Sequence, residues 1–392
     1  SSRRVRRVLV SVEVAVGVAL VMMTGLVAAS MAKLMHVNRG FDPEKAMTVM
    51  VSLPNETYSN TQARAEFYRR VLVKLDSLPG VQYAGLTSAL PLAGGNPWGD
   101  LAQLPGDTRP WTQLPSEHFR WISPGYFEAI HLPLIGGHFF SGSDWGRQDA
   151  VVSELTAKTL WPGEDPIGRQ FTLAGRAGMP PFTVVGVVAN ARTVTLANPD
   201  PMMIYVPYWF RCDAEAGLVV RTRQDPAMIA ASIRKTIWSV DAGVPVPEVR
   251  TLGGIVSYSV SNRRFEMDML MLFAASSLLL AALGVYGVVT YSVVQRRREI
   301  GLRLALGAQR NSLYGLVLRD GLTPVMLGAL AGMVAAFGLA KVVGSLLFEV
   351  SPYNPGIAAG AVGLLVAVGV MACWMPARRA AHVDPMETLR AE

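Results

Sequence analysis

Four long apolar runs constrain the fold of this chain more than any other feature of its sequence. They cover residues 8–31, 269–294, 321–343 and 357–375. Each is close to the roughly 20 residues that a helix needs to cross a hydrocarbon core about 30 Å thick. Since backbone groups inside lipid have no water to bond, each run is expected to form a transmembrane helix. Only 17% of the residues are charged, against about 25% in soluble domains, which also favours a membrane protein.

Arginines predict how these helices are oriented, because basic residues are enriched on the cytoplasmic side of membrane helices. They precede the first run and follow the second and the fourth, whereas the short connection 344–356 has none. We therefore expect a multi-pass protein of the cell inner membrane with both termini in the cytoplasm. Residues 344–356 are then a short periplasmic loop and residues 32–268 a large periplasmic domain. The first run is longer than the apolar part of a typical signal peptide, so we expect it to be retained.

The predicted fold is an α-helical membrane protein with four transmembrane helices plus an α+β extracytoplasmic domain inserted between helices 1 and 2. A strand–helix–strand pattern opens that domain. Residues 47–53 alternate like a strand, Ser59-x-x-Gln62 resembles a capping box that opens a helix, and residues 81–87 form a second strand. A similar pattern closes the domain. It consists of a strand at 218–222, a helix started by Asp225-Pro226, and a strand at 246–249.

These two patterns predict an α+β subdomain formed by residues 40–97 and 211–250. Between them lies a mainly β insert at 98–210, rich in turn residues, whose clearest strand is 182–189. Residues 251–268 form a stalk that leads to the second helix. The remaining predicted segments are a cytoplasmic N-terminus (1–7), a cytoplasmic coupling segment (295–320) and a cytoplasmic tail (376–392).

The sequence lacks the motifs that several classes of function need. The Gly-Lys pair of a phosphate-binding loop occurs nowhere, so any ATP is expected on a separate partner subunit. Gly-x-Ser-x-Gly is absent, and His118, His131 and His138 lack the close spacing of zinc ligands. Cys212 is exported and Cys373 lies in the last run, which excludes a disulfide framework. We expect no enzymatic activity, no cofactor and no metal site. The excess of basic residues reports topology, so we expect no nucleic acid partner.

The junction after the second run is the strongest candidate for a working part. Gly284–Ala308 passes from apolar residues to three arginines and then to the amphipathic segment Glu299–Ala308. An orientation anchor needs only basic residues and leaves that ordered segment unexplained. We therefore favour docking of a cytosolic partner, with a simple anchor as the alternative. The candidate docking residues are Arg296, Arg297, Arg298, Glu299, Gly301, Arg303, Gly307 and Arg310.

Two glycine pairs and two charged residues lie within the runs. Gly328-x3-Gly332 and Gly356-x3-Gly360 allow helices to approach closely, either within this chain or across a dimer. Glu13 and Lys341 lie near opposite ends of their runs. We expect both charged groups to snorkel to the membrane interface.

The junction and the C-terminus resemble a known family. Arg-Arg-Glu-Ile-Gly-Leu-Arg-Leu-Ala-Leu-Gly-Ala within Gly284–Ala308 looks like the junction after the second span of MacB/FtsX-type ABC transporter permeases. Pro376–Arg390 resembles the tail of those permeases. Ser123-Pro-Gly-Tyr-Phe127, Trp161-Pro-Gly-Glu-Asp-Pro-Ile-Gly168 and Val184-Val-Gly-Val-Val188 resemble the family's periplasmic core domain. The exported insert is most similar to one module of the duplicated acidobacterial orphan permeases, so we expect this chain to be part of something longer.

The resemblance implies a permease subunit that transmits ATP-driven motion of a separate cytosolic ABC ATPase to a periplasmic domain, for export or extrusion of an envelope substrate. By resemblance, the arginines and Glu299 hold polar contacts to the ATPase, while Gly301 and Gly307 let the segment turn. The implied partners are that ATPase, a second permease module or a homodimer, the lipid bilayer, and a periplasmic adaptor or hydrolase. The alternative function is a non-transporting regulator that activates a cell-wall hydrolase through its periplasmic domain.

Overall fold

The computed structural model describes residues 2–94, 98–174, 180–197, 201–295, 310–344 and 347–381. The chain divides into two compact units, a helical unit (Ser1–His36 and Asn262–Glu392) and a sheet unit (Val37–Ser261). In chain order the elements are α1 (Ser2–His36), β1 (Ala46–Ser52), α2 (Thr61–Asp76), β2 (Val81–Thr87), β3 (Trp98–Gln103), β4 (Ser116–Ile122), α3 (Tyr126–Ile130), β5 (Leu134–Gly137), β6 (Asp149–Ser153), α4 (Glu154–Leu160), β7 (Gln170–Leu173), β8 (Phe182–Val188), β9 (Met203–Pro207), β10 (Glu215–Thr222), α5 (Ala230–Trp238), β11 (Arg250–Thr251), α6 (Leu252–Ser259), α7 (Ser261–Gln295), α8 (Arg310–Val343) and α9 (Pro355–Ala381).

Among the described residues, four helices are long and apolar enough to cross a membrane. Their candidate spans are Arg4–His36, Ser261–Gln295, Leu318–Leu339 and Pro355–Pro376. They coincide with the four apolar runs, and each helix continues beyond its run. At about 1.5 Å per residue, the 35-residue helix α7 is roughly 50 Å long, well beyond the hydrocarbon core.

Glycines bring α1 and α8 together in the helical unit. A Cβ added at Gly328 would lie 2.5 Å from the carbonyl oxygen of Ser11, and one added at Gly332 would lie 2.4 Å from that of Ala15. These distances leave no room for a side chain, so this glycine pair packs within the chain, as the first of the two interpretations expected. A Cβ at Gly360 would meet nothing within 4 Å.

One mixed sheet dominates the sheet unit. For the described residues it contains eleven strands in the order β11-β1-β10-β2-β4-β3-β7-β8-β6-β9, with β5 paired to β8 and an additional parallel pairing of β4 with β9. Strands β1 and β10 pair antiparallel over seven residues, from Ala46 opposite Arg221 to Ser52 opposite Glu215. Long-range pairing thus joins the two strand–helix–strand patterns. Strands β2 and β4 share the single pair Thr87–Ile122. The division of this unit into a subdomain and an insert stays a prediction.

Two local predictions were wrong in detail. Helix α2 is capped by Asn60, whose side chain accepts the amide of Ala63 at 2.8 Å, so Ser59 does not form the capping box. Residues 246–249 form no strand, and the pairing with β1 is made by β11 instead. Pro245 and Pro247 explain this shift, because proline has no N–H to donate to a sheet.

Candidate functional site

The predicted coupling residues lie at the junction between α7 and α8. Arg310 is the first residue of α8, and α7 ends at Gln295. The contacts that bear on this junction are therefore those at the flanking helix ends. Outside the described residues lie Arg296, Arg297, Arg298, Glu299, Gly301, Arg303 and Gly307, as does the predicted tail beyond Ala381.

Two N-terminal arginines connect α1 to both helices that flank the junction. The guanidinium of Arg6 lies 4.1 Å from the ring centroid of Tyr291, four residues before the end of α7. Arg7 Nη2 lies 3.3 Å from Asp320 Oδ1 on α8. We call these two contacts the arginine clamp. The arginine pattern predicts only which side of the membrane these residues occupy, so their specific partners are visible in the structure alone.

Residues near the opposite end of α1 form hydrogen bonds to the connection between α8 and α9. Ser30 Oγ accepts the amide of Phe348 at 2.8 Å, and Lys33 Nζ donates to the carbonyl of Glu349. Both bonds satisfy backbone groups of a short non-helical connection. Helix α1 therefore contacts the rest of the helical unit at both of its ends.

One carboxyl oxygen of Glu13 lies inside the helical unit, and snorkelling of this residue stays a prediction. Its Oε2 is buried without a hydrogen-bond partner among the described residues, and it faces α7 at Gly284. A Cβ at Gly284 would lie 2.4 Å from that oxygen. The missing side chain of this glycine provides the space that the carboxyl group occupies. The side chain of Lys341 is outside the described set.

The sheet unit begins with the segment that follows α1 in the chain, and backbone contacts hold this segment. We call residues 37–45 the first connection. Gly40 has φ +76°, and a Cβ there would lie 2.1 Å from the carbonyl oxygen of Asn190. The amide of Arg192 donates to the carbonyl of Arg39 at 2.9 Å. Only glycine combines this left-handed conformation with so close an approach.

A buried arginine also holds the same segment. Arg221 on β10 is 2% exposed. Its Nε donates to Ala129 O at 2.7 Å, and its Nη2 donates to Asp42 O at 2.6 Å. Its Nη1 donates to Asp42 Oδ2 at 3.1 Å and to Glu44 O at 2.9 Å. This guanidinium ties the first connection to β10 and to the end of α3, and nothing in the sequence distinguishes it from the surface arginines.

The chain leaves the sheet unit through a different structure. Thr251 caps α6 by accepting the amide of Gly254 at 3.0 Å, and α7 begins two residues after α6 ends. Arg250 pairs with Glu248 at 3.0 Å, but both side chains are well exposed. We call residues 250–260 the second connection. It consists mainly of the two-residue strand β11 and helix α6, whereas the first connection is neither helix nor strand.

Two sequence motifs singled out above are structural elements. In Ser123-Pro-Gly-Tyr-Phe127, Ser123 Oγ accepts the amide of Leu86 at 2.8 Å, and Gly125 has φ +84° with a Cβ position 2.5 Å from Ala84 O. The motif thus seats α3 against β2. Trp161–Gly168 consists of turns and bends, with Gly168 at φ +80°.

One fully buried acid in the sheet unit has a raised pKa. Glu117 on β4 is fully buried, and burial raises its pKa to about 7 although the amide of Ala102 donates to its Oε2 at 2.9 Å. Burial also lowers the pKa of His118. No three His, Cys, Asp or Glu side chains come together as metal ligands within the part of the chain that the structure describes.

Comparison with known proteins gives matches along most of the chain. The family described as MacB-like periplasmic core domain matches residues 11–237, more than half of the chain. The family described as FtsX-like permease C-terminal matches residues 271–385.

Individual relatives are longer than this chain. The macrolide export ATP-binding/permease protein MacB of Azoarcus sp. (strain BH72) is 30% identical over 277 residues, covering 68% of this chain and 41% of the relative. The pyoverdine export ATP-binding/permease protein PvdT of Pseudomonas putida is 29% identical over 285 residues, with the same two coverages. The chain therefore spans about two fifths of their length. The crystal structure of the periplasmic region of MacB from Actinobacillus actinomycetemcomitans covers 59% of this chain and 98% of its own, with 14% identity and a TM-score of 0.38.

Proposed function

Since this chain belongs to the family of MacB/FtsX-type ABC transporter permeases, we propose that it is a permease subunit driven by a separate cytosolic ABC ATPase. The ATPase docks on residues 296–310, and its motion reaches the sheet unit through the helices. The outcome is extrusion of an envelope substrate. The named relatives export macrolides and pyoverdine, which favours a small molecule over a protein as the substrate.

The arginine clamp carries this proposal. A docked ATPase can move several helices together only if they are coupled beside the docking segment. Arg6 and Arg7 join α1, α7 and α8 there. Since α1 continues directly into the first connection, a displacement of α1 acts on the residues that Gly40 and Arg221 hold.

Reversal of charge at Arg297 and Arg303 together tests ATPase docking. Loss of one partner from a desolvated ion pair at an interface costs about 2–5 kcal/mol, so recovery of the ATPase should fall at least about tenfold. The measurement is affinity purification of the tagged chain from membranes, with quantification of co-purified P-loop ATPase.

The matched control reverses Arg263 and Arg264, two arginines at the other end of α7. This variant should recover as much ATPase as the wild type. Equal recovery by all three chains would refute docking at residues 296–310 and leave the cluster as an orientation anchor. An unchanged ATPase recovery together with loss of a bound cell-wall hydrolase would instead favour the regulatory function.

A further inference from the structure

An open cleft in the sheet unit is not used by the proposed coupling function. Its volume is about 790 Å³, within the roughly 300–1,000 Å³ of ligand-binding clefts. One wall is the start of α2, from Asn60 to Arg69. The facing wall carries Gly142 and Trp145. The cleft therefore lies between the first strand–helix–strand pattern and residues of the predicted insert.

The facing wall presents a supported aromatic ring. Trp145 is 44% exposed. Its indole packs at 83° against Tyr208, with centroids 5.7 Å apart, and at 34° against Trp209 at 5.3 Å. Tyr208 itself is buried. Two aromatic neighbours thus hold the indole in place while a large part of its surface stays open to the cleft, which makes it a rigid apolar platform.

The α2 wall presents planar polar groups. Glu66 accepts two bonds from Arg69, from Nε at 2.8 Å and from Nη2 at 2.7 Å, and this pairing lowers the pKa of Glu66. Bidentate pairs of this kind are geometrically defined. Asn60 Oδ1 accepts the amide of Ala63, which leaves its NH₂ group to donate, and the exposed amide of Gln62 has both a donor and an acceptor.

We propose that this cleft binds a saccharide. A sugar ring has an apolar C–H face, which suits the indole of Trp145, and a rim of hydroxyls, which suits the amides and the Glu66–Arg69 pair. A drug-like apolar ligand would favour a mainly apolar lining. A nucleic acid would favour a basic surface, whereas the charged groups of this cleft form one neutral pair. The open shape admits a sugar within a longer glycan.

Titration calorimetry on the full chain tests the proposal. The chain is held in lipid nanodiscs, because detergents with sugar head groups would compete. The probes are tetrasaccharides of β-linked N-acetylglucosamine and of β-linked glucose. The wild type should bind at least one of them saturably. Trp145→Ala should weaken that binding at least about tenfold, the equivalent of about 1.4 kcal/mol.

Two further variants serve as a control outside the cleft and as a test of its polar wall. Trp238→Ala is the matched control, because Trp238 is 43% exposed and lies outside the cleft, and it should bind like the wild type. Gln62→Ala changes an exposed residue on the polar wall and should weaken binding severalfold without affecting the fold. Absence of saturable binding by the wild type would overturn the proposal. Wild-type affinity in both Trp145→Ala and Gln62→Ala would overturn it equally.

Discussion

The N-terminal part of the chain is held in each unit, but by a different kind of contact. In the helical unit, α1 packs on α8 where Gly328 and Gly332 have no side chains. In the sheet unit, the first connection is held to β10 by the buried guanidinium of Arg221. One contact depends on the absence of volume and the other on the presence of a charge.

The difference follows from the solvent that each unit is suited to. Lipid tails are as apolar as leucine, so helices in a membrane gain little from burying apolar surface and associate through close packing. In water, an irregular segment can be held by a buried charge if every donor finds an acceptor. The helical unit should therefore be sensitive to added atoms, and the sheet unit to lost polar groups.

The largest effect is expected from Arg221→Met. The substitution leaves the carbonyls of Ala129, Asp42 and Glu44 without the donors that now satisfy them. We expect the sheet unit to lose about 3–5 kcal/mol of its free energy of unfolding. Hydrogen exchange at the β1–β10 amides measures this loss. Arg250→Met is the control, since its pair with Glu248 is exposed and should contribute at most about 1 kcal/mol. Equal losses would contradict the special role of Arg221.

A single added methyl group should destabilise the helical unit. In Gly332→Ala the new Cβ would lie 2.4 Å from Ala15 O, and α1 must move away. Overpacking of this kind costs about 1–3 kcal/mol. Gly338→Ala is the matched control on the same helix, because its Cβ meets nothing within 4 Å, and it should be neutral or slightly stabilising. Unfolding in denaturing detergent compares the two. If both alanine variants unfold like the wild type, close packing at Gly332 is not what holds α1.

A pH effect is expected in the sheet unit through Glu117. Its folded pKa of about 7 lies above the unfolded value of about 4.5, so the folded state binds the proton more tightly. The resulting stabilisation is present below the unfolded pKa and decreases as pH rises through the folded pKa. The wild type should lose roughly 2 kcal/mol relative to Glu117→Gln between pH 5 and pH 8. Denaturant unfolding at both pH values checks this. Parallel curves for the two chains would show that Glu117 does not titrate in this window.

The smallest effect is expected from the arginine clamp on stability. Arg7 and Asp320 are 43% and 28% exposed, and such pairs contribute about 0–1 kcal/mol. Arg7→Asp should therefore hardly change unfolding, yet it should reduce ATP-driven turnover if the clamp couples the helices. The exchange variant Arg7→Asp/Asp320→Arg should restore turnover. Failure of the exchange to restore it would indicate that Arg7 acts by its charge alone.

The overall class was determined by composition and local pattern. The four apolar runs each became a helix, and the strands expected at 81–87 and 182–189 form in the structure. Such predictions succeed because hydrophobic length and periodicity are properties of consecutive residues. The failures near Ser59 and at residues 246–249 were local too. There the competing signals, the Asn60 cap and the two prolines, lay within one or two residues of the prediction.

Tertiary structure alone decided which residues matter at distant contacts. Arg221 and Arg250 are the same amino acid in the same domain, and only the pairing of β10 with β1 and α3 buries the first of them. Trp145 and Tyr208 meet from positions more than sixty residues apart, and Gly332 is important because α1 returns to it from the start of the chain. The sequence by itself determined that this chain forms membrane-length helices and an α+β domain. Burial, charge satisfaction and the cleft depend on distances between remote segments, which local periodicity does not encode.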